Sequence, residues 1–460
     1  MSKTKQEMGI FDAPYRALTI GIILAVTTVA FEGLAITTIA PSVAQKLQGI
    51  HLYGWIFSAF LLSQIVGTMI IGQRINTNGV FASFVTSIFI FLIGIIIAAT
   101  SVNMIMLITG RVLQGFGAGA MITCVYYIIT LGYPNQLRTK ILAMFSAAYI
   151  LPALIGPYIA GLLTEYFSWR VVFWLVLPLI GLAVVLTLPA FRKFSTGEKK
   201  AVTTTGRKEG YAIFLAIGTG MLLSGLGMIT NWKGIALSVI GVLVMILPLR
   251  ELLPEGTFRV RRGLPATIFS RGLFVACYHA TESYVVLALT DVKKLPADLA
   301  GLIVAAGALS WSAAAWLQTR LDTKDQGLGR NKRVMTGIGF MVVGVIAVML
   351  AVSLPGGGII FAVFSQIFTG FGIGLAHPTT GAIALQHTQT GKEGEISASL
   401  QFTDAFSPGL SIGIGGAFIA ISQTLHWGLI TGILIALSLQ LLFAVVSFVI
   451  SFRIKPNTSI

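Results

Sequence analysis

Long apolar runs separated by short polar connections recur along the whole chain. A helix of about 20 predominantly apolar residues crosses roughly 30 Å of hydrocarbon, and such runs can be drawn over 17–39, 54–71, 81–99, 104–127, 141–163 and 171–188. A polar, basic connector at 192–210 follows, with Lys193, Lys199, Lys200, Arg207 and Lys208, and reads as a flexible linker. Two shorter runs, 211–229 and 234–249, are split by Asn231, Trp232 and Lys233, and a second basic stretch carries Arg250, Arg259, Arg261 and Arg262. Six more runs, 264–289, 299–317, 335–354, 358–385, 397–421 and 428–450, close the chain. The pattern predicts fourteen spans grouped as six, two and six. It leaves two readings of the central pair: two crossings, or a second member that ends at Pro248 and lies re-entrant.

Six helices, an insert and six more suggest two halves built as repeats, with a substrate site near the midplane between them. The expected units are a six-helix bundle at 1–191, a basic linker with two added helices at 192–262 and a second six-helix bundle at 263–460. Gln73 and Arg74 after the second run, and Gln318 and Arg320 after the eighth drawn within the bundles, hint at the duplication.

Composition removes the soluble alternatives. Of 460 residues, 55% are hydrophobic and only 10% charged, with 51 glycines and a mean hydropathy of +0.88, which predicts an all-α polytopic membrane protein. The net charge of +15 therefore bears on orientation rather than on nucleic acid. If both termini face the cytoplasm, most basic residues fall on that side, leaving Lys46, Arg170, Lys233, Lys293 and Lys294 on the other, as the positive-inside rule requires. The polar stretch 1–16 carries no small-residue cleavage site, so no cleaved signal is expected. Cys124 and Cys277 both fall in apolar runs and read as small packing groups rather than a disulfide framework.

Of the 16 acidic residues, Glu32, Glu282 and Asp404 alone fall well inside drawn spans. One acid in a span costs roughly 3 kcal/mol on insertion scales, so it needs a partner, a proton or a task. A carboxyl held away from water takes up a proton more readily, and wetting reverses that. A proton moving down about 150 mV releases roughly 3.5 kcal/mol, enough for a substrate gradient of a few hundredfold at about 1.4 kcal/mol per decade.

Glu32 lies in the outer half of the first run and Arg111 at a similar depth in the fourth, so the two could pair, either for coupling or only to hold register. His279 and Glu282, three apart, share a helical face beside Tyr278 and Tyr284; the alternatives are a transport role or a carboxyl held in a wet crevice. Asp404 stands about two turns from the loop containing Lys392, Glu393 and Glu395, so solvent is expected to reach it. His377, before Pro378, either serves transport or satisfies backbone freed by the proline. The cluster is too sparse for a metal site. Gly115, Gly117 and Gly119 imitate part of a dinucleotide fingerprint, but no strand precedes them, and close helix packing is the expected use. The Asn457-Thr458-Ser459 sequon is idle on a cytoplasmic terminus.

These residues resemble the major facilitator superfamily, and within it the fourteen-span drug:proton antiporters, over essentially the full chain. The acid followed nine positions later by proline, Glu32 to Pro41, is similar to the first-span pattern of those exporters, with Glu in place of the commoner Asp. Gly110-Arg111-Val112-Leu113-Gln114-Gly115 looks like the fourth-span arginine motif, and Gly156-Pro157-Tyr158-Ile159-Ala160-Gly161 like the fifth-span antiporter motif, with Ala160 replacing one glycine. Trp169-Arg170 and 173–178 resemble the start of the sixth span. The loop Gly72-Gln73-Arg74-Ile75-Asn76-Thr77-Asn78-Gly79-Val80 departs from the family, with Asn76 where an acid is usual, so a charge lock at that loop is weakened or built differently.

The resemblance implies two six-helix bundles plus two inserted helices, with Glu32 and Arg111 as a coupling site. It makes Gly156, Pro157, Gly161, Gly72, Arg74 and Gly79 conformational residues. Glu282, Asp404, His279 and His377 are the candidate proton or substrate residues of the second half. The expected activity is proton-driven export of small amphipathic or lipophilic compounds, with an adaptable pocket lined by aromatic and methionine side chains. The expected partners are a small-molecule substrate, protons and the lipid bilayer of the plasma membrane, for a monomer with no cofactor and no nucleic acid. Export or flipping of a lipid or envelope precursor is the alternative cargo, and a non-transporting receptor or enzyme the alternative class.

Overall fold

Apolar runs in lipid become helices because a helix satisfies its interior backbone N–H and C=O groups within itself. The structure is a computed structural model that describes residues 9–193, 207–354, 358–388 and 393–454. Its helices are α1 (Arg16–Lys46), α2 (Tyr53–Asn78), α3 (Val80–Ala99), α4 (Met104–Gly132), α5 (Asn135–Ala147), α6 (Ile150–Tyr166), α7 (Trp169–Lys193), α8 (Arg207–Gly227), α9 (Trp232–Leu252), α10 (Leu264–Leu287), α11 (Ala297–Asp325), α12 (Arg330–Ser353), α13 (Gly358–Gln386), α14 (Glu393–Thr424) and α15 (Leu429–Ser451). Among the described residues, thirteen helices are long and apolar enough to cross a membrane, and α6 is a shorter apolar helix. Most of the 192–210 connector, with Lys199 and Lys200, lies outside the described residues, as do Lys392 and the Asn457-Thr458-Ser459 sequon.

One drawn span is divided, and several helices run past their drawn ends, α1, α2 and α11 by seven or eight residues. The expected fifth span, 141–163, is divided, with α5 ending at Ala147 and α6 starting at Ile150. Pro152 has no N–H to give the carbonyl of Ala148, which would be its helical acceptor; that carbonyl instead accepts a hydrogen bond of 3.1 Å from the Thr27 hydroxyl of α1. The second central helix is longer than drawn. α9 runs through Pro248 to Leu252, and both α8 and α9 have the length and apolarity of crossings, which favours two spans over a re-entrant loop.

An even number of crossings puts both chain ends on one side, the termini face; the 46–53 connection lies on the opposite, far face. In the first half α1 packs on α6 and α7, α2 on α4, and α3 on α4 and α7. In the second half α10 packs on α14 and α15, α11 on α13, and α12 on α13 and α15. α8 and α9 pack on each other, and α8 leans on α2 and α14. The halves meet where α2 meets α14 and α6 meets α11, with a smaller contact of α1 with α10.

That meeting is tightest toward the far face. A Cβ at Gly54 of α2 would stand 2.7 Å from the Ile412 carbonyl oxygen of α14, and one at Gly161 of α6 would stand 2.6 Å from the Ala297 oxygen and Asp298 Cα of α11. Small residues here let two backbones touch. Tyr53 Oη donates to the Ser283 carbonyl at 2.8 Å, Ser58 Oγ to the Gly409 carbonyl at 2.6 Å, and the Gln45 amide reaches the Asp291 carboxylate. Gly115 and Gly119 of α4 likewise seat the carbonyls of Phe60 and Gln64 of α2, the packing use expected of that glycine run.

A side chain at Gly161 must push α11 away. Gly161→Val is expected to cost about 1–3 kcal/mol as overpacking and to loosen the far face. In a Thr38→Cys background, where residue 38 is buried beside Gly301, labelling by an impermeant maleimide from the far face should rise several-fold. Unchanged labelling would mean that this contact does not hold the face shut.

Candidate functional site

The first cluster ties three helices of the first half. Arg111 comes from α4, about two turns from its far-face end, and is 1% exposed; Glu32 comes from α1 and is 3% exposed. Arg111 Nη1 donates to Glu32 Oε1 and, at 2.9 Å, to Gln114 Oε1. Its Nε donates to the Ile56 carbonyl of α2 at 3.0 Å, and its guanidinium lies 4.3 Å from the centroid of the Phe60 ring. A buried charge pair is tolerated when its remaining donors are used. Glu32 Oε2 and Gln114 Nε2, both buried, have no hydrogen-bond partner among the described residues. The carboxylate thus has one oxygen engaged and one open to a proton.

The second cluster is built from α10, α13 and α14, nearer the termini face. Arg271, about two turns into α10, binds Asp404 of α14 in a two-pronged grip, Nε to Oδ1 at 2.8 Å and Nη2 to Oδ2 at 2.7 Å. Its Nη1 donates to the His377 carbonyl at 2.7 Å and to Thr380 Oγ1 at 3.0 Å. His377 Nε2 lies 2.6 Å from Arg271 Nη2 and 3.2 Å from Asp404 Oδ2. A bare Nε2 accepts from Arg271, whereas a protonated one can donate only to Asp404 and turns its hydrogen against the guanidinium. One proton on that ring therefore decides which partner His377 holds. The side chains of Asp404 and His377 are each 29% exposed, so this cluster is partly accessible where the first is closed.

Asp404 is partly accessible, and it has an arginine partner that a count of acids alone does not reveal. Arg271 was legible as a lone cation in the run 264–289. The His377 ring does not serve the backbone freed by Pro378; it faces Arg271 and Asp404.

On α10, about two to three turns beyond Arg271, His279 Nδ1 lies 3.6 Å from Glu282 Oε2 on one helical face, as their spacing required. Tyr278, His279 and His377 all stand against the indole of Trp311 on α11, at ring-centroid separations of 5.1, 6.4 and 5.9 Å. Trp311 bears no charge, and nothing in its local sequence marks it. No group able to hold a metal ion occurs among the described residues, and Cys124 and Cys277 are buried and unbridged.

The motif residues separate in space. Pro157 and Gly161 lie in the α6–α11 contact, and Gly156 faces Phe31, the neighbour of Glu32. Gly79, at φ +84°, makes the one-residue turn between α2 and α3; Gly72 has only Thr123 nearby, and Arg74 is exposed without an ion pair among the described residues. The acids absent from that loop are found, in ion pairs, at the matching connection of the second half. There Arg330 grips Asp322 at 2.8 and 2.5 Å, and Arg333 binds Asp322 and Asp325, each at 2.6 Å. The sequence reading missed this network, although Gln318 and Arg320 pointed to the same connection.

Two helix bundles, each holding a buried charge cluster at membrane depth, form the arrangement expected of a secondary transporter. The chain belongs to the major facilitator superfamily, whose model matches residues 21–412. It is 21% identical to the multidrug efflux pump SdrM of Staphylococcus aureus (strain N315), over 96% of this chain and 98% of that one. It is 28% identical to the efflux pump dotC of Dothistroma septosporum, over 64% of this chain and 53% of that one. Among solved structures it superposes on an auto-inhibited POT family peptide transporter with a TM-score of 0.68 at 15% identity, covering 96% of this chain and 99% of that one. It also superposes on a mutant of the nucleoside transporter NupG with a TM-score of 0.62 at 13% identity, covering 95% of this chain and 98% of that one.

Proposed function

We propose that this transporter exports small amphipathic or lipophilic compounds in exchange for protons, by alternating access between halves at 1–191 and 263–460. The observation that carries the reading is the dry cluster of Glu32, Arg111 and Gln114, with one carboxylate oxygen left without a partner among the described residues. A proton on Glu32 cancels the attraction that holds Arg111 to α1, so protonation and helix contact are linked at one atom. The second cluster responds in the same terms, because a proton on His377 changes its partner from Arg271 to Asp404. Glu282 and His279 on α10 are the further groups that would meet a cationic cargo or a passing proton, with Tyr278 and Trp311 offering aromatic faces. Efflux pumps among the relatives support export as the direction.

The tight far-face contacts and the partly accessible second cluster support a state open toward the termini face. With both termini cytoplasmic in the plasma membrane, that is the state that loads cargo from inside. The proton gradient supplies the energy, a monomer suffices and no cofactor is needed.

The test is flux in vesicles of purified protein. Loss of accumulated dye from the lumen should follow an imposed pH gradient and stop when a protonophore collapses it. Flux indifferent to the gradient would reject proton exchange, and competition by lipids rather than by dyes would move the cargo to an envelope precursor.

A further inference from the structure

A cavity of about 420 Å³ opens on the termini face where α9 ends and the 253–263 loop turns back toward α10. That volume falls within the range of about 300–1,000 Å³ usual for small-molecule sites. Three arginines line it, Arg250, Arg259 and Arg261, together with a single acid, Glu255. The acid does not neutralise them: its carboxylate is 96% exposed and stands 3.9 Å from Arg261. Arg262 and Arg453 add charge beside the cavity, and Glu251 at the end of α9 is the nearby counter-charge. The Arg453 guanidinium itself donates to the Val260 carbonyl at 3.4 Å.

The loop is ordered around this cavity. Thr257 is buried and its hydroxyl donates to the Pro254 carbonyl at 2.6 Å, the Ala266 N–H of α10 donates to the Arg261 carbonyl at 3.0 Å, and the Gly263 N–H to the Arg453 carbonyl at 3.2 Å. Phe258, at the rim, is 52% exposed and also touches Phe269 of α10 edge-on.

The cavity sits at the edge of the hydrocarbon. α9 has 21 residues, about 30 Å at 1.5 Å per residue, and is the least buried of the candidate spans. Val239, Leu243 and Leu247 are exposed along it at four-residue steps, and Ile246 lies one turn before Arg250. An apolar stripe in the membrane thus ends at a ring of arginines at its boundary.

We propose that this cavity binds the headgroup of an anionic phospholipid, with the phosphate between Arg250, Arg259 and Arg261 and an acyl chain along the α9 stripe. Arginine forks match phosphate oxygens, and the stripe selects a lipid over a soluble anion. The bound lipid fastens the inserted helix pair to α10, which carries Arg271. It is a resident of this seam and not cargo, so the inference stands whether the transporter moves drugs or lipids.

The test uses the full chain in detergent, titrated with phosphatidylglycerol, phosphatidylcholine or inorganic phosphate, with bound lipid counted by native mass spectrometry. Phosphatidylglycerol should bind wild type while phosphatidylcholine and phosphate do not. Each basic residue near an anionic surface contributes about 1 kcal/mol, so the triple variant Arg250→Gln, Arg259→Gln, Arg261→Gln should bind on the order of a hundredfold more weakly. Glu255→Gln removes the lining acid and should bind several-fold more tightly, which a fold-damaging change would not do. Arg320→Gln, a basic residue elsewhere on this face that stacks on Trp316, should bind as wild type does. Wild-type affinity in the triple variant, weakening in Arg320→Gln equal to that of the triple variant, or full displacement of the lipid by inorganic phosphate would each overturn the proposal.

Discussion

Glu32→Gln is expected to abolish export driven by a pH gradient while leaving the protein inserted and folded. The amide keeps the shape of the carboxyl and still offers Arg111 Nη1 an oxygen, and the Ile56 carbonyl and Gln114 remain as acceptors for the guanidinium. What disappears is the site where a proton can arrive and leave. Exchange of labelled for unlabelled cargo at equal pH should therefore survive in the variant while uphill export does not. Glu32→Ala removes the oxygen as well and strands a buried arginine, which costs about 3–5 kcal/mol, so its thermal midpoint should fall well below that of Glu32→Gln. Gradient-driven export at the wild-type rate in Glu32→Gln would remove this residue from the coupling mechanism.

The second large effect is expected at Arg271. Replacing it with Gln deletes the two-pronged grip on Asp404 and the bond to the His377 carbonyl together, leaving a carboxylate inside the bundle with only His377 to face. Truncating one partner of such a pair costs about 3–5 kcal/mol when the pair is fully dry, and the 29% exposure of Asp404 puts the expected loss near the lower end. Asp404→Asn in the Arg271→Gln background should return part of that loss, because no unpaired charge remains. Thermal unfolding of the two single variants and the double should show a coupling of about 1–3 kcal/mol. Additive losses would mean that the pair is incidental to the fold.

How much of this was legible follows from what each signal needs. Length and apolarity place a helix in lipid without reference to its neighbours, so the drawn spans match the helices closely. They fall short where a helix continues past its apolar run, as in α1, α2 and α11, and they miss a division where one residue's hydrogen bonding decides the outcome. Pro152 breaks the fifth span because Thr27, far away in sequence, can take the stranded Ala148 carbonyl. Pro248 does not break α9, because it lies in the last turns, where one missing bond is easily borne. Glu32 and Arg111 were legible as a pair from depth alone, since two opposite charges at one level in lipid have few other partners. Arg271 was visible as a lone cation, yet nothing in its own helix says that α13 and α14 supply His377 and Asp404.

The sequence by itself determined that this is a polytopic helical membrane protein and that three acids fall inside apolar runs, and it left the crossing of the central pair open. Those properties follow from one-dimensional quantities, the length of apolar runs and the cost of charge in hydrocarbon. Only the tertiary structure decided that Glu32 is buried against Arg111, that Asp404 is held by Arg271 beside His377, and that the halves touch backbone to backbone at Gly54 and Gly161 toward the far face. It also decided that Asp322, Asp325, Arg330 and Arg333 form the charge network missing from the 72–80 loop. Each of these depends on which helices touch and at what height, a choice made by backbone approach and side-chain fit across hundreds of residues, which no local pattern encodes.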